Sequence, residues 1–177
     1  MSKRFGPSKI CRAILYGTIV MLAPFVFFAG CEKNQGVKTG ETPPEIYGTD
    51  IHGDPVSLRK LKGNVVVLYF WSNSCCGDKL KLLQPYYIRN KDKGVAILAI
   101  NGTDSREAIE SYAKKNGVSF TLQSDEHSMT SREYGVFGFP TLFIIDREGI
   151  VRKRIMGYIE PDQLNKYVVQ YVISPGP

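Results

Sequence analysis

Two adjacent cysteines, Cys75 and Cys76, are the residues of this chain best suited to chemistry. They follow an apolar run and open a predicted helix, where unpaired backbone N–H groups and the helix dipole stabilise a thiolate. Such a position lowers the pKa of a thiol by about one unit at best. Because the thiolate is the nucleophile of disulfide exchange, the pair predicts thiol chemistry at the start of this helix.

The two cysteines could also bond to each other. Adjacent Cα atoms lie about 3.8 Å apart across a trans peptide, which is below the usual disulfide span of about 4.4–6.8 Å. A Cys75–Cys76 bond would therefore be strained and easily reduced, as labile disulfides are. The alternative interpretation makes Cys76 a small apolar residue turned into the domain.

Asp78 lies three residues after Cys75, on the same face of the predicted helix. A shielded, ionised carboxylate there would repel the thiolate and leave Cys75 with a high pKa. A desolvated, neutral carboxyl could instead relay a proton to the leaving sulfur. A solvated carboxylate would only favour the start of the helix. The sequence leaves these three interpretations open.

The elements around the cysteines alternate between strand and helix. Unbroken apolar runs are typical of strands buried on both faces, and Pro85 is expected to kink the helix that contains it. Short extended pieces near 46–47 and 55–56 come first. The predicted strands are then 65–70, 95–100, 120–122, 142–145 and 151–155, and the predicted helices are 76–91, 105–116 and 161–172, with a helical turn at 128–134. This order predicts an α/β sheet covered by helices.

Three segments resemble the thioredoxin superfamily: Phe70-Trp71 before a cysteine that opens a helix, Gly138-Phe139-Pro140-Thr141 before a strand, and the turn Ile145-Asp146-Arg147-Glu148-Gly149. More narrowly, residues 45–173 resemble its extracytoplasmic TlpA/ResA-like branch, which includes redoxin and AhpC/TSA-type domains. The resemblance implies a thioredoxin-like α/β fold, with a central mixed β-sheet flanked by helices and an N-terminal β extension.

The resemblance also implies roles for single residues. The family pattern Phe-Trp-x-x-x-Cys-x-x-Cys places the attacking cysteine at Cys75 and puts Asp78 where the resolving cysteine belongs. Lys81 stands where this branch commonly has an acidic residue. The two-cysteine motif is thus broken, so that Cys76 or an external thiol must resolve a mixed disulfide.

Substrate contacts are implied at a second segment. The Phe139–Pro140 bond matches the family's cis-proline loop, which lies against the attacking sulfur and pairs with an extended substrate segment, so Phe139, Pro140 and Thr141 are expected to bind substrate. Trp71 is expected to form a wall of the site, and simple core packing is its alternative.

Residues 1–30 have the layout of a secretory signal, with a basic head, an apolar run and small residues at its end. Phe28-Ala29-Gly30-Cys31 resembles the lipobox of bacterial lipoproteins, which implies lipidation of Cys31 after cleavage. An uncleaved anchor and a plain secreted protein are the alternatives. The polar stretch that follows predicts a flexible tether over 31–44 before a thioredoxin-like domain over 45–174.

Charge and histidine content exclude other classes of function. Four of the 23 basic residues lie in residues 1–30, which have no acid, so 19 basic residues face 17 acidic ones in the remainder. This small excess argues against a nucleic-acid partner. His52 and His127 are the only histidines, and neither has a ligand-spaced partner, so no metal site is predicted. Nothing implies a cofactor.

Together these features predict a membrane-tethered thiol-disulfide oxidoreductase on the periplasmic side of the bacterial envelope, anchored through lipid on Cys31. Its expected partners are thiol- or disulfide-containing envelope proteins or small thiols. A redox-inactive binding or assembly module is one alternative, for which Asp78 is the main evidence. A one-cysteine thiol peroxidase is another, although the Thr-x-x-Cys approach of peroxiredoxins is not evident around Asn73. The choice between inner and outer membrane stays open.

Overall fold

The computed structural model describes residues 36–173, so the predicted signal segment and Cys31 lie outside the described residues. The strands are β1 (Val65–Trp71), β2 (Val95–Asn101), β3 (Thr121–Ser124), β4 (Thr141–Ile145) and β5 (Val151–Met156). The helices are α1 (Asn73–Leu80), α2 (Leu83–Asn90), α3 (Arg106–Asn116), α4 (Met129–Glu133) and α5 (Pro161–Ile173), with 3₁₀ turns at Arg59–Leu61 and Lys91–Lys93. None of the helices within 36–173 is long and apolar enough to cross a bilayer.

The strands form one mixed sheet in the order β3-β2-β1-β4-β5. β1 pairs in parallel with β2, and β2 with β3, whereas β4 runs antiparallel to both β1 and β5. The predicted α/β class with a central mixed sheet is confirmed. Of the expected N-terminal β extension, the structure shows two isolated bridges, which join Thr49 to Pro55 and Asp50 to Gln123.

Strand β1 is buried on both faces, as its unbroken apolar run predicts. Alternate residues Val65, Val67, Tyr69 and Trp71 share one core cluster with residues of helices α1, α2, α3 and α5. The intervening residues Val66, Leu68 and Phe70 belong to a second cluster on the opposite face of the sheet. Since β1 lies at the centre of the sheet, these two clusters fix the end of the strand from which helix α1 departs.

The predicted single helix over 76–91 is wrong in two respects. Helix α1 begins at Asn73, three residues earlier, and a break at Lys81 and Leu82 separates it from helix α2. Pro85 does not kink a helix, because it lies in the first turn of α2. N–H groups of a first turn have no partner within the helix, so proline, which lacks an N–H group, is tolerated there. Cys75 is therefore the third residue of its helix.

Residues 36–44 lie against the domain, where a flexible tether was expected. Val37 is buried, and its N–H group donates to the carbonyl of Tyr134 over 3.3 Å. The hydroxyl of Tyr134 in turn donates to the carbonyl of Pro44 at 2.5 Å. Backbone hydrogen bonds also join Val151, the first residue of the edge strand β5, to Gly40 and Glu41. This segment therefore covers part of the sheet edge.

The turn between β4 and β5 depends on a buried carboxylate. Asp146 is 3% exposed, accepts the N–H group of Ile150 at 2.8 Å and is paired with Arg152. Burial alone would raise the pKa of this carboxyl, but the hydrogen bonds from Ile150 and Arg152 outweigh it and lower the pKa below its ordinary value.

Replacing Asp146 by Asn is expected to reduce the free energy of unfolding by about 1–3 kcal/mol at pH 7, where the carboxylate is charged. Because the folded-state pKa is lowered, this contribution is present above about pH 4 and is lost as the pH falls through the lowered value. Urea denaturation of wild type and variant at pH 7 and pH 3 measures the difference. Asp92→Asn, at an exposed carboxylate, is the control; a penalty for Asp146→Asn that is equal at both pH values would contradict the prediction.

Candidate active site

Strand register brings the cysteine pair and the proline loop to the same end of the sheet. Phe70 pairs with Thr141, so Trp71 and Pro140 lie just beyond the paired part of β1 and β4. Helix α1 starts two residues after Trp71, and the peptide bond between Phe139 and Pro140 is cis, as the resemblance implied. The start of the cysteine-bearing helix thus lies at the strand end from which the proline loop enters β4.

Cys75 and Cys76 form a disulfide between adjacent residues, with their Cα atoms 3.8 Å apart. The two residues differ in access to solvent: Cys75 is exposed, whereas Cys76 is 2% exposed and belongs to the helix-side core cluster. Both interpretations of Cys76 therefore hold at once, because it packs in the core and is bonded to Cys75. An external thiol can reach only the sulfur of Cys75.

Ser72, which sequence reasoning missed, contacts both sulfur atoms. Its hydroxyl donates to the Sγ of Cys75 over 3.3 Å, and its N–H group donates to the Sγ of Cys76 over 3.5 Å. Ser72 is the N-cap residue of helix α1, with extended backbone angles. Serine is a preferred N-cap residue, so a helix start placed at Asn73 rather than Cys76 would have revealed it.

Asp78 lies in solvent, with 92% of its side chain exposed. Its carboxylate accepts a hydrogen bond from Lys81 at 2.7 Å, and this bond together with the charge of Lys81 lowers the pKa of Asp78. A proton relay needs a desolvated carboxyl with a raised pKa, so the structure contradicts that interpretation of Asp78. The solvated interpretation agrees with these surroundings, in which the carboxylate is exposed and paired with Lys81.

The side chains of Trp71 and Thr141 do not face solvent. The indole of Trp71 is 0% exposed and packs on the ring of Tyr112, with the ring centroids 4.8 Å apart, so core packing replaces the predicted wall. Thr141 is also buried, and its hydroxyl donates to the carbonyl of Gly138 at 2.7 Å. Both side chains are directed away from solvent because β1 and β4 are covered on both faces. Both side chains thus pack in the interior beneath the site.

Phe139 and Pro140 remain partly exposed. The ring of Phe139 rests on the backbone of Gly102, where a β-carbon would lie only 2.3 Å from its Cζ atom. The carbonyl of Pro140 accepts the N–H group of Gly157 at 2.8 Å, whereas the main-chain groups of Phe139 have no hydrogen-bond partner within residues 36–173. Phe139 therefore offers an unpaired main-chain edge beside the cysteine helix.

Tyr112 on helix α3 fixes the first turns of helix α1. Its hydroxyl donates to the carbonyl of Gly77 at 2.5 Å. Burial raises the pKa of Tyr112 to about 12, so the hydroxyl keeps its proton at neutral pH and remains a donor. A β-carbon at Gly77 would lie 3.1 Å from the Tyr112 ring, so a larger residue there would require the ring to move by a few tenths of an ångström.

Asp104, a second residue that the sequence did not reveal, holds the N-terminus of helix α1 from the loop after β2. Its Oδ2 atom accepts the N–H group of Asn73 and the Nδ2 group of Asn101, each at 2.8 Å. Asn101 is buried, and its Oδ1 atom accepts the N–H groups of Thr103 and Asp104. The loop is thereby folded so that the carboxylate meets a helix start, where a negative charge is favourable.

Replacing Asp104 by Ala is expected to lower the free energy of unfolding by about 1–3 kcal/mol, because it removes charge-assisted hydrogen bonds to Asn73 and Asn101. Urea denaturation followed by circular dichroism measures this loss. Asp92→Ala, at an exposed carboxylate, is the matched control and is expected to change stability by less than about 0.5 kcal/mol. Equal effects of the two substitutions would show that Asp104 does not hold the helix.

The residues present here do not form an evident metal site. Within 36–173, no three His, Cys, Asp or Glu side chains are grouped so that they could hold a metal ion. The chemistry available at this end of the sheet is therefore that of two sulfur atoms, the hydroxyl and amide of Ser72 and an unpaired main-chain edge at Phe139.

Comparisons with known proteins agree with this arrangement. Residues 39–154 match the model of the AhpC/TSA family. The thiol-disulfide oxidoreductase ResA of Bacillus thuringiensis (strain Al Hakam) is 32% identical over 157 residues, which are 88% of this chain and 89% of that protein. ResA of Bacillus subtilis (strain 168) is 29% identical over 165 residues, covering 92% of this chain and 91% of the relative.

Solved structures share the fold. The crystal structure of a putative thiol:disulfide interchange protein DsbE from Chlorobium tepidum superposes with a TM-score of 0.71 at 26% identity, over 77% of this chain and 99% of the other. A putative thioredoxin from Neisseria meningitidis gives a TM-score of 0.68 at 26% identity, over 75% of this chain and 90% of the other. The chain therefore belongs to the AhpC/TSA family and is a ResA/TlpA-like member of the thioredoxin superfamily.

Proposed function

We propose that this protein is a thiol-disulfide oxidoreductase whose redox centre is the adjacent pair Cys75 and Cys76. The observation that carries the proposal is an exposed cysteine bonded to a buried one in the first turn of a helix. The relatives named thiol-disulfide oxidoreductase support the same class of reaction. Cys76 would thereby replace the usual second cysteine, whose position Asp78 occupies.

In the oxidising direction, a substrate thiolate attacks the Sγ of Cys75. The Cys75–Cys76 bond breaks, and Cys76 leaves with the electron pair as a thiolate that accepts the N–H group of Ser72. A second thiolate of the substrate then attacks the substrate sulfur of the mixed disulfide, the bond to Cys75 breaks, and Cys75 leaves as a thiolate. The substrate becomes a disulfide, the protein holds two reduced cysteines, and two electrons and two protons have been transferred.

In the reducing direction, the Cys75 thiolate attacks a substrate disulfide and releases one substrate thiolate. Cys76 then attacks the Sγ of Cys75, and the second substrate thiolate leaves. Cys76 takes the resolving role because it is the nearest sulfur and is covalently adjacent. The direction used in the cell depends on the substrate's own reduction potential.

Phe139 and Pro140 are the proposed docking segment for substrate. Two features support this role: both residues are partly exposed, and the main-chain groups of Phe139 are unpaired within residues 36–173. An extended segment carrying a cysteine can hydrogen-bond to Phe139 as an added strand, which would place its sulfur beside Cys75. The expected substrates are thiol- or disulfide-containing envelope proteins or small thiols.

The proposed location is the periplasmic side of a bacterial membrane, with residues 1–30 removed and lipid attached to Cys31. The basic head, the apolar run and the sequence Phe28-Ala29-Gly30-Cys31 support it. Labelling of wild type with radioactive palmitate, compared with Cys31→Ser, tests the anchor. Equal labelling of both proteins would refute lipidation at Cys31.

The activity is tested on the full chain with three substrates: insulin plus dithiothreitol, glutathione disulfide and hydrogen peroxide. We expect catalysed reduction of insulin or glutathione disulfide. If neither is reduced and peroxide is not consumed, the protein is a redox-inactive binding module. Consumption of peroxide without disulfide exchange would instead indicate a one-cysteine peroxidase.

A further inference from the structure

Ser72 is an N-cap residue whose hydroxyl does not cap its helix. Its carbonyl accepts the N–H group of Cys76 at 3.2 Å, which closes the first turn of helix α1 in the usual way. The side chain, however, makes no capping hydrogen bond. An N-cap serine ordinarily accepts an N–H group from the second or third residue of the helix. The hydroxyl of Ser72 is therefore available for another purpose.

The hydroxyl is held among buried atoms and lies against the reactive sulfur. Ser72 is 3% exposed, and its Oγ atom lies 3.3 Å from the Sγ of Cys75 and 3.3 Å from the Oγ of Ser74. If Ser74 donates to Ser72, the one proton of the Ser72 hydroxyl is directed to sulfur. The helix start is stabilised instead by Asp104, whose carboxylate accepts the N–H group of Asn73. The Ser72 hydroxyl is therefore not needed as a cap.

We propose that Ser72 is a catalytic residue of the exchange reaction, whose hydroxyl donates a hydrogen bond to the Cys75 sulfur and stabilises its thiolate. The inference rests on the proposed function, because it assigns a role in the same reaction. A donor to the charged form of an acid lowers its pKa. With the hydroxyl present, more Cys75 is ionised at neutral pH and attack on a disulfide is faster. The N–H group of Ser72 serves the Cys76 sulfur in the same manner when that sulfur leaves.

Charged groups also lie on the elements around Cys75. On its own helix, Asp78 is paired with Lys81, and Lys79 lies over the ring of Tyr158. From the loop after β2, Asp104 brings a carboxylate to the helix start. The loop 137–140 contains no acidic or basic residue. These groups remain when Ser72 is changed, so a shift in the titration of Cys75 reports the hydroxyl itself.

The test measures the pH dependence of Cys75 alkylation in a Cys76→Ser background, where no intramolecular disulfide can form. The reduced full chain is treated with iodoacetamide between pH 5 and pH 10, and modification of the Cys75 peptide is quantified by mass spectrometry, which separates it from Cys11 and Cys31. Ser72→Ala is expected to raise the pKa of Cys75 by about 0.5–1 unit, which slows alkylation about three- to ten-fold below the midpoint.

Ser72→Gly is the second variant, because glycine retains most of the N-cap preference and lacks a hydroxyl. Both variants should shift the midpoint alike, whatever they do to helix stability. Ser111→Ala, at an exposed serine on helix α3, is the matched control and should leave the midpoint in place. An unchanged midpoint in both Ser72 variants overturns the role of Ser72.

Reduction of insulin and glutathione disulfide by wild type separates this inference from the proposed function. An active wild type with an unshifted midpoint in the Ser72 variants overturns the inference alone. An inactive wild type overturns the proposed function, and with it the catalytic role of Ser72, even if the midpoint shifts. An active wild type together with a shifted midpoint supports both.

Discussion

Cys75→Ser is expected to abolish both the mixed disulfide with substrate and the catalysed exchange, whereas Cys76→Ser should accumulate the mixed disulfide. The reason is the difference in exposure, because a substrate sulfur can approach Cys75 in solvent and cannot approach Cys76 in the core. Without Cys76, the bond between substrate and Cys75 has no adjacent sulfur to displace it. Both variants should lose turnover, yet only one should retain a bound substrate.

The measurement is intact mass after incubation of each reduced full-chain variant with glutathione disulfide. Cys75→Ser/Cys76→Ser is the control, because it retains Cys11 and Cys31 and gives the background from those residues. One glutathione above this background is expected on Cys76→Ser and none on Cys75→Ser. The opposite pattern would exchange the roles of the two cysteines. No adduct above background on either variant would contradict disulfide exchange at this pair.

Much of the fold follows from the pattern of apolar residues. The runs at Val65 and Val95 are long, β-branched and unbroken, and they become the central parallel strands because both faces of the sheet are covered. The helix boundaries around the cysteines were harder to predict. A proline in a helical pattern either kinks a helix or lies in a first turn, and the local sequence around Pro85 is compatible with both. The break before it depends on how the two short helices pack on the sheet, with α1 against β1 and α2 against β2.

The site residues that lie within short sequence motifs could be predicted, whereas a contact that depends on strand register was missed. Cys75 and the cis bond before Pro140 lie within short motifs, so their positions could be predicted. Asp104 is 31 residues from Asn73 along the chain and meets it only because Trp71 pairs with Asn101 across parallel strands. No spacing rule in a single sequence specifies that contact. Ser72 was missed because the helix was expected to start later.

The alternation of side chains along β1 explains why core packing is the interpretation of Trp71 that the structure supports. Val65, Val67, Tyr69 and Trp71 alternate along β1 and therefore share a face, and that face is covered by helices. The sequence left two interpretations of Trp71 open, a wall of the site and simple core packing. Strand alternation instead directs the indole away from the surface that a substrate meets. Its Nε1 group is buried without a hydrogen-bond partner within residues 36–173, as befits a ring packed in the core.

Trp71→Ala is accordingly expected to reduce the free energy of unfolding by about 3–5 kcal/mol, the cost of removing a large aromatic side chain from a packed core. This is a large share of the stability of an ordinary domain, about 5–15 kcal/mol. Trp71→Phe should cost less, because it keeps a ring against Tyr112 and removes the unsatisfied N–H group. Trp71→Phe should also retain disulfide exchange, since the indole is buried and away from solvent.

Trp71 is the only tryptophan of the chain, so both variants are compared with wild type by far-ultraviolet circular dichroism in urea rather than by fluorescence. Tyr47→Ala, at an aromatic side chain that is 75% exposed, is the control and should change stability by less than about 0.5 kcal/mol. If Trp71→Ala unfolded at the same urea concentration as wild type but no longer reduced insulin, the indole would be a wall of the substrate site after all. In that case the Trp71 side chain would contribute nothing to the stability of the fold. Its packing against helix α1 would then not explain how Cys75 is positioned.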